Sequence, residues 1–377
     1  MAVPQLTPRQ AQQQLLRGAV LVDVRDEHEY AQGMAQGAVG IPRAELERDP
    51  LRHFPDRSRP LVLICQVGGR SMLAAEVLRG LGYIEVSSVQ GGMNQWGAAG
   101  LPVSAPEVQV DQDFHERYAR HLSLPEIGTR GQRRLEAATV LLLGAGGLGS
   151  PAGFYLAAAG VGHLRIVDSD VVERSNLQRQ ILHAEEAIGL HKVDSAEVRL
   201  SAVNPRIRVE PVRERLDAGN VERLLAGADL VIDGADNFAA RYLLNDACVR
   251  LGIPLVYGAV HRFEGQVAVF DAGRHRGSAP CYRCLFPEPP PPEAAPNCSE
   301  AGVLGVLPGV VGMLQATEAL KLLLRIGEPL SGRLLHFDAL AMRFRETRLA
   351  PDPDCPVCAP ERMFRGYVDH EASCASA

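Results

Sequence analysis

Val140-Leu141-Leu142-Leu143-Gly144-Ala145-Gly146-Gly147-Leu148-Gly149 is the stretch that sets the architecture of most of this chain. Four consecutive apolar residues stopping at a glycine have the length and composition of a strand buried on both faces. The Gly144-x-Gly146-x-x-Gly149 turn lets the backbone approach a phosphate, with Gly147 inside it, and the helix it opens favours negative charge at its N-terminus. Alone, the turn is a weak signal whose default owner is a dinucleotide enzyme. Residues 137–162 carry no charge and match a membrane span in length, but seven glycines and Pro151 punctuate them. A strand, a glycine turn and an apolar helix account for them better, and the uncharged run from Ala301 to Thr317 is read on the same grounds.

Working outward, Leu164-Arg165-Ile166-Val167, Leu230-Val231-Ile232 and Leu255-Val256-Tyr257 are further short apolar runs with helical stretches between them. That alternation predicts a Rossmann-like, doubly wound parallel sheet. Towards the N-terminus, Val20-Leu21-Val22-Asp23-Val24 and Leu61-Val62-Leu63-Ile64 read as buried parallel strands, and Ser71 to Gly80 has helical spacing that ends on a glycine. Residues 1–103 therefore form a small α/β domain, 104–113 a linker, and 114–377 a larger domain that begins with a basic helical stretch, Phe114 to Arg134. Glu288 to Pro296, mostly proline, reads as a mobile loop.

At 377 residues the chain suits two or three domains, and 46% apolar residues can build sizeable cores. A net charge of -6 and a pI near 6.0 argue against nucleic acid or an anionic membrane as the main partner. Eight scattered cysteines and no basic-then-apolar start point to a reducing, cytoplasmic setting, where cysteines are more often catalytic or metal-binding than bridged.

Cys65-Gln66-Val67-Gly68-Gly69-Arg70 lies between a strand and a helix. Backbone N–H groups and the helix N-terminus converge on the sulfur there, which stabilises a thiolate, and Arg70 adds a cation. Four residues separate Cys65 from Arg70. A loop with one more would fit a phosphate; the shorter one suits a single extra sulfur atom. The segments Asp23-Val24-Arg25-Asp26-Glu27-His28-Glu29-Tyr30, Gly37-Ala38-Val39-Gly40-Ile41-Pro42, Gly91-Gly92-Met93-Asn94-Gln95-Trp96 and Gly100-Leu101-Pro102-Val103 resemble a rhodanese domain from end to end. That resemblance implies a persulfide on Cys65. Gln66 departs from it, since many family loops have arginine there.

In the larger domain Asp168 and Asp170 end a strand, where an acid can hold a ribose hydroxyl. Asn176-Leu177-Gln178-Arg179-Gln180 and Lys192 supply fixed cations that a triphosphate needs and a hydride carrier does not. Asp236 and Asn237 follow another strand, a place from which a carboxylate can hold a metal ion on phosphates. Together with Arg117-Tyr118-Ala119-Arg120-His121 and Cys281-Tyr282-Arg283-Cys284, these motifs resemble, from about Tyr118 to Cys358, the ubiquitin-activating-type adenylyltransferases that activate small sulfur-carrier proteins in molybdopterin and thiamin synthesis. The resemblance implies ATP and Mg2+, with Arg179 and Lys192 on the triphosphate, Asp168 on the ribose and Asp236 on magnesium. It also implies a homodimer in which Arg120 reaches the neighbouring subunit's site. The expected partners are a small ubiquitin-like sulfur-carrier protein and a sulfur donor such as a cysteine desulfurase or thiosulfate.

Cys281-x-x-Cys284 and Cys355-x-x-Cys358 offer four thiolates to a tetrahedral Zn2+ with no open position, hence a structural site; two redox pairs are the alternative. Seventy residues separate the two knuckles, so the metal would pin the C-terminal tail to the domain. Cys298 follows the proline-rich loop, and by resemblance some relatives use a cysteine here to bond the carrier's carboxyl end covalently while others do without. Cys248 is expected in the core and Cys374 in an inert tail.

Overall fold

The computed structural model describes residues 3–30, 32–104, 111–289 and 302–369. The chain divides into two compact units, residues 1–133 and 134–377.

In the first unit five parallel strands lie in the order Gln5–Leu6, Val86–Val89, Leu61–Ile64, Val20–Asp23, Val39–Gly40. Leu61, Leu63 and Val22 belong to one apolar cluster, and Val62, Ile64 and Leu21 to another. Alternate side chains point to opposite faces of a strand, so both faces of this sheet are covered, as the unbroken apolar runs predict. Cys65 thus emerges at the C-terminal end of the central strand. The helix Gly69–Gly80 follows it and buries Ala74, Ala75 and Leu78. Trp96 is fully buried, with its indole N–H on the Pro102 carbonyl at 3.1 Å. The basic stretch from Phe114 onward is two helices, Gln112–Leu122 and Gly128–Ala137, rather than one. Pro125 lies in the break between them and cannot donate a helical hydrogen bond.

In the second unit eight strands lie in the order Arg208–Val212, His163–Val167, Thr139–Leu143, Leu230–Asp233, Leu255–His261, Glu264–Phe270, Arg333–Asp338, Arg343–Arg348. The first five are parallel, and the four apolar runs quoted above all fall in this half. From Thr139–Leu143 the chain winds outward on one side, then returns to Leu230–Asp233 on the other. The crevice at the C-terminal ends of these two strands is a topological switch point, where open α/β sheets bind ligands. The doubly wound reading did not anticipate the other half. Leu255–His261 turns directly into Glu264–Phe270, and Arg262 takes a left-handed φ of 51° in the turn. So short a connection can only join antiparallel neighbours, and the last three strands continue that pattern.

Helix Leu307–Leu324 is long and apolar enough to cross a membrane, with a mean hydropathy of 1.3. In the fold it packs on helix Gly149–Ala159 and the sheet. Gln315 Nε2 donates to the Asp233 and Val256 carbonyls at 2.8 and 3.1 Å. At Gly312 a Cβ would stand 2.4 Å from the Leu148 carbonyl oxygen, so only glycine permits the approach.

Candidate functional site

The Cys65 sulfur is buried beneath its loop. Gly68, in a left-handed conformation (φ 96°), turns its N–H onto Sγ at 3.1 Å, and the buried Ser71 hydroxyl lies 3.4 Å away. Ser71 Oγ also meets Ser88 Oγ at 2.8 Å. Burial alone would raise the thiol's pKa. Hydrogen bonds from the Ser71 hydroxyl and the backbone N–H groups of Ser71, Gly68 and Val67 outweigh it and hold the thiol below its ordinary range. Helix Gly92–Ala98 closes the loop from behind: Met93 and Asn94 N–H groups bond the Cys65 and Gln66 carbonyls at 2.8 and 3.1 Å. A Cβ on Gly92 would stand 2.0 Å from the Cys65 carbonyl oxygen, so this position demands glycine.

Arg70 forms a bidentate pair with Glu29 at 2.6 and 2.7 Å, with Asp26 at 3.6 Å. Its charge is therefore shared with two carboxylates. Gln66 is held at both ends: its Oε1 accepts from Arg25 Nη1 at 3.0 Å, and its Nε2 donates to Asn94 Oδ1 at 2.6 Å. Arg25 is itself buried against Asp23 at 2.7 Å. A buried guanidinium thus backs the very position where many rhodanese loops carry arginine.

Ser71→Ala is expected to move thiolate formation to higher pH and to slow persulfide loading of Cys65 roughly tenfold near neutrality, because a hydrogen bond to a charged group contributes about 1.5–3 kcal/mol. The hydroxyl donates to the thiolate and has no such role towards the thiol, so its loss favours the protonated form. The pH profile of iodoacetamide alkylation checks this; a profile coinciding with that of the wild type would refute it.

At the switch point of the second unit, Gly144 (φ 95°) carries the glycine loop away from its strand, with its N–H on the Val167 carbonyl at 2.8 Å. A Cβ on Gly149 would lie 1.9 Å from the Gly144 carbonyl oxygen, which fixes glycine where the loop meets helix Gly149–Ala159. Asp168 Oδ2 accepts from Ala145 N–H at 2.8 Å, and its Oδ1 from Asp170 N–H at 2.9 Å. Burial raises the Asp168 carboxyl above its usual range, against the charge of Lys192 and these two N–H groups. Lys192 Nζ, itself buried, reaches Asp170 Oδ2 at 2.7 Å. Asn176 closes a short 3-10 turn through Glu173, and Arg179 donates to the Ser175 carbonyl at 3.1 Å.

Gln180 Oε1 is buried and has no hydrogen-bond partner, and its amide lies near the glycine loop: a Cβ on Gly146 would stand 3.7 Å from Gln180 Nε2. An orphaned acceptor beside a glycine cradle, with cations close at hand, fits a nucleotide that brings its own donors. Asp236 is exposed beyond the strand Leu230–Asp233, and Asn237 caps helix Phe238–Leu251 through Ala240 N–H at 2.9 Å. Below them Asp233 is fully buried against Arg241 at 2.8 Å, a pair the sequence did not reveal.

The four knuckle cysteines come together. Their sulfur atoms all lie within 4.8 Å of one another, with Cys281–Cys355 at 3.6 Å and Cys284–Cys358 at 3.4 Å. Four sulfurs at the Zn–S bond length of about 2.3 Å sit about 3.8 Å apart at the corners of a tetrahedron, so this set fits zinc. Val249, Ala272 and Ala359 pack around it. Cys248 is buried in the core, as expected. Arg120 lies in the last turn of helix Gln112–Leu122, in the first unit. Cys298 and Cys374 lie outside the described residues, as does most of the proline-rich loop.

Sequence reasoning missed Ser71, Ser88, Glu29 and His183. His183 is buried, with Nε2 at 2.9 Å from the Ala145 carbonyl oxygen and Nδ1 at 2.9 Å from Ser195 Oγ. Burial, helped by the charges of Lys192 and Arg199, keeps it below the ordinary histidine range despite the hydrogen bond to Ala145. Its spacing matches no metal motif, so the sequence carries no signal for it.

Residues 118–357 match the ThiF family, and residues 7–99 match the rhodanese-like domain. Over 269 residues the chain is 54% identical to the SAMP-activating enzyme E1 of Haloferax volcanii, covering 71% of this chain and 98% of that protein. It is equally identical, 54% over 260 residues, to the sulfur carrier protein adenylyltransferase of Thermus thermophilus, covering 69% of this chain and 96% of the relative. Both alignments nearly exhaust the relative, so both relatives are shorter than this chain. The adenylyltransferase and sulfurtransferase MOCS3 of Drosophila sechellia is 43% identical over 274 residues, 72% of this chain and 60% of that protein. Among solved structures, E. coli MccB superposes with a TM-score of 0.58 at 19% identity over 74% of this chain and 83% of MccB, a likeness of fold alone.

Proposed function

The chain belongs to the ThiF family, with a rhodanese-like domain ahead of the ThiF part, and we propose that it activates and then sulfurates the C-terminal carboxylate of a small ubiquitin-like sulfur-carrier protein. The observation that carries this reading is the presence, in one chain, of a cysteine sulfur held by loop donors and a glycine loop with an orphaned acceptor beside it.

The carrier carboxylate attacks the α-phosphorus of ATP and pyrophosphate leaves, giving an acyl-adenylate. The protein's part is positioning and charge neutralisation. The loop backbone and the N-terminus of helix Gly149–Ala159 face the phosphates, Arg179 and Lys192 offset their charge, and Asp168 accepts from the ribose. Asp236, exposed beyond the end of its strand, would hold Mg2+, which when bound would neutralise further phosphate charge. The terminal sulfur of the Cys65 persulfide then attacks the acyl carbon and AMP leaves. A second thiol, for which Cys298 is the candidate, attacks the resulting acyl disulfide at the Cys65 sulfur. The carrier thiocarboxylate is released and a disulfide remains, which a cellular thiol reduces.

Zn2+ occupies the four-cysteine site and has a structural role. The enzyme works as a cytoplasmic homodimer, with Arg120 serving the neighbouring subunit's site. A cysteine desulfurase or thiosulfate loads Cys65, and the product serves molybdopterin or thiamin synthesis.

Asp236→Ala is expected to lower carrier-dependent ATP–pyrophosphate exchange on the order of 10²-fold, the scale of losing one preorganised electrostatic partner. Sulfur transfer from thiosulfate to cyanide should continue at the wild-type rate. Undiminished exchange would remove Asp236 from the nucleotide site, and absence of any thiocarboxylate on candidate carriers, read by mass spectrometry, would sink the reading itself.

A further inference from the structure

A circuit of contacts surrounds the backbone of Ala145 at the heart of the glycine loop. Its N–H donates to Asp168 Oδ2 at 2.8 Å, and Asp168 Oδ1 accepts from Asp170 N–H at 2.9 Å. Asp170 is bound twice by Lys192, at its carboxylate by Nζ at 2.7 Å and at its carbonyl by the backbone N–H at 3.0 Å. Lys192 opens the helix Lys192–Val203, and Ser195, one turn along it, meets His183 Nδ1 at 2.9 Å. His183 Nε2 completes the circuit at the Ala145 carbonyl oxygen, again at 2.9 Å.

The chemistry of the partners fixes the histidine tautomer. A carbonyl only accepts, so Nε2 carries the proton; in the neutral ring Nδ1 then accepts from the Ser195 hydroxyl. The two peptide groups that flank the Ala145 Cα are thereby held, the first through its N–H by a carboxylate and the second through its carbonyl by an imidazole. A side chain as polar as histidine is costly to bury unless both nitrogens find partners, and here both do.

We infer that His183 is a positioning residue of the nucleotide site: it sets the tilt of the glycine loop through Ala145 and, through Ser195, ties that loop to the helix that begins at Lys192. The loop amides and the lysine cation then meet a triphosphate as one rigid unit, with their geometry settled before binding. This inference rests on the ATP-dependent reading above and assigns the part of a residue that touches neither substrate nor metal.

The test uses the full-length protein and ATP with Mg2+, with affinity measured by calorimetry and amide exchange measured across residues 144–149. His183→Leu is expected to weaken ATP roughly five- to tenfold, the scale of one net hydrogen bond, and to speed exchange of the loop amides. His183→Gln, whose Nε2 can still donate to Ala145, is expected to stay within about twofold of the wild type on the same scale. Ser195→Ala, a smaller change that cuts the circuit at its other end, should weaken ATP by less than His183→Leu and serves where the leucine variant does not fold. Persulfide loading of Cys65 should be unchanged in all three. Wild-type affinity in both His183→Leu and Ser195→Ala, or equal weakening by leucine and glutamine, would overturn the inference. A wild-type protein that binds no ATP would instead undo the reading on which it rests, so the two failures are distinguishable.

Discussion

Cys65→Ala is expected to abolish thiocarboxylate formation on the carrier while leaving carrier-dependent ATP–pyrophosphate exchange at the wild-type rate. The first effect is complete because no other described cysteine has this environment. Cys248 is sealed in the core with its thiol pushed up by burial, and the other four described cysteines form one cluster. Among the described cysteines only Cys65 combines a depressed thiol with a donor-lined loop. The second effect follows from the division of the chain into two units, each with its own sheet and core. Alanine at Cys65 removes one sulfur atom from the first unit and leaves the bonds of the Met93 and Asn94 N–H groups to the Cys65 and Gln66 carbonyls in place. Mass spectrometry of the carrier and a radiolabelled pyrophosphate assay read the two activities separately. Loss of exchange in the variant would contradict a modular enzyme, and residual thiocarboxylate would point to another sulfur carrier in the chain.

If the four-cysteine site holds zinc as proposed, chelating it, or replacing Cys355 by serine, is expected to lower the melting temperature of the second unit by about 10 °C. Seventy residues separate Cys284 from Cys355. In the chain-entropy picture a cross-link over a loop of that size restrains the unfolded state by about 4 kcal/mol, and about 2–4 °C accompanies each kcal/mol in a domain of this size. A metal held by the four cysteines would close a loop that includes helix Leu307–Leu324 and the last two strands of the sheet. Its loss should therefore loosen the end of the chain before the parallel half. Scanning calorimetry with and without chelator, together with one zinc released per chain, checks this. Disulfides within each Cys-x-x-Cys pair and no bound zinc would favour redox pairs instead.

The parts of the molecule legible in the sequence share a property: each is written in consecutive residues. The apolar runs at 61–64, 140–143, 164–167 and 230–232 are strands because strands buried on both faces need no alternation. The two glycine-bearing loops declare themselves because Gly68 and Gly144 take left-handed conformations that other residues resist. The cysteine knuckles are legible because zinc chemistry constrains spacing. The break near Pro125 and the turn at Arg262 were harder. A single proline marks the first between two helical stretches, and the second has no glycine at its left-handed position.

What the sequence by itself determined is therefore the chemistry on offer: a sulfur nucleophile in a donor-lined loop, a phosphate cradle at the end of a strand, and four thiolates. What only the tertiary structure decided is which groups act on them. Glu29 shares the charge of Arg70 from 41 positions away, and His183 grips Ala145 from 38. Ser88 reaches Ser71 from the neighbouring strand, and the antiparallel half of the large sheet extends beyond the switch point. Each depends on which surfaces meet once the strands are in register. Pairing across a sheet or through a core is set by packing, and packing leaves no periodic trace along the chain.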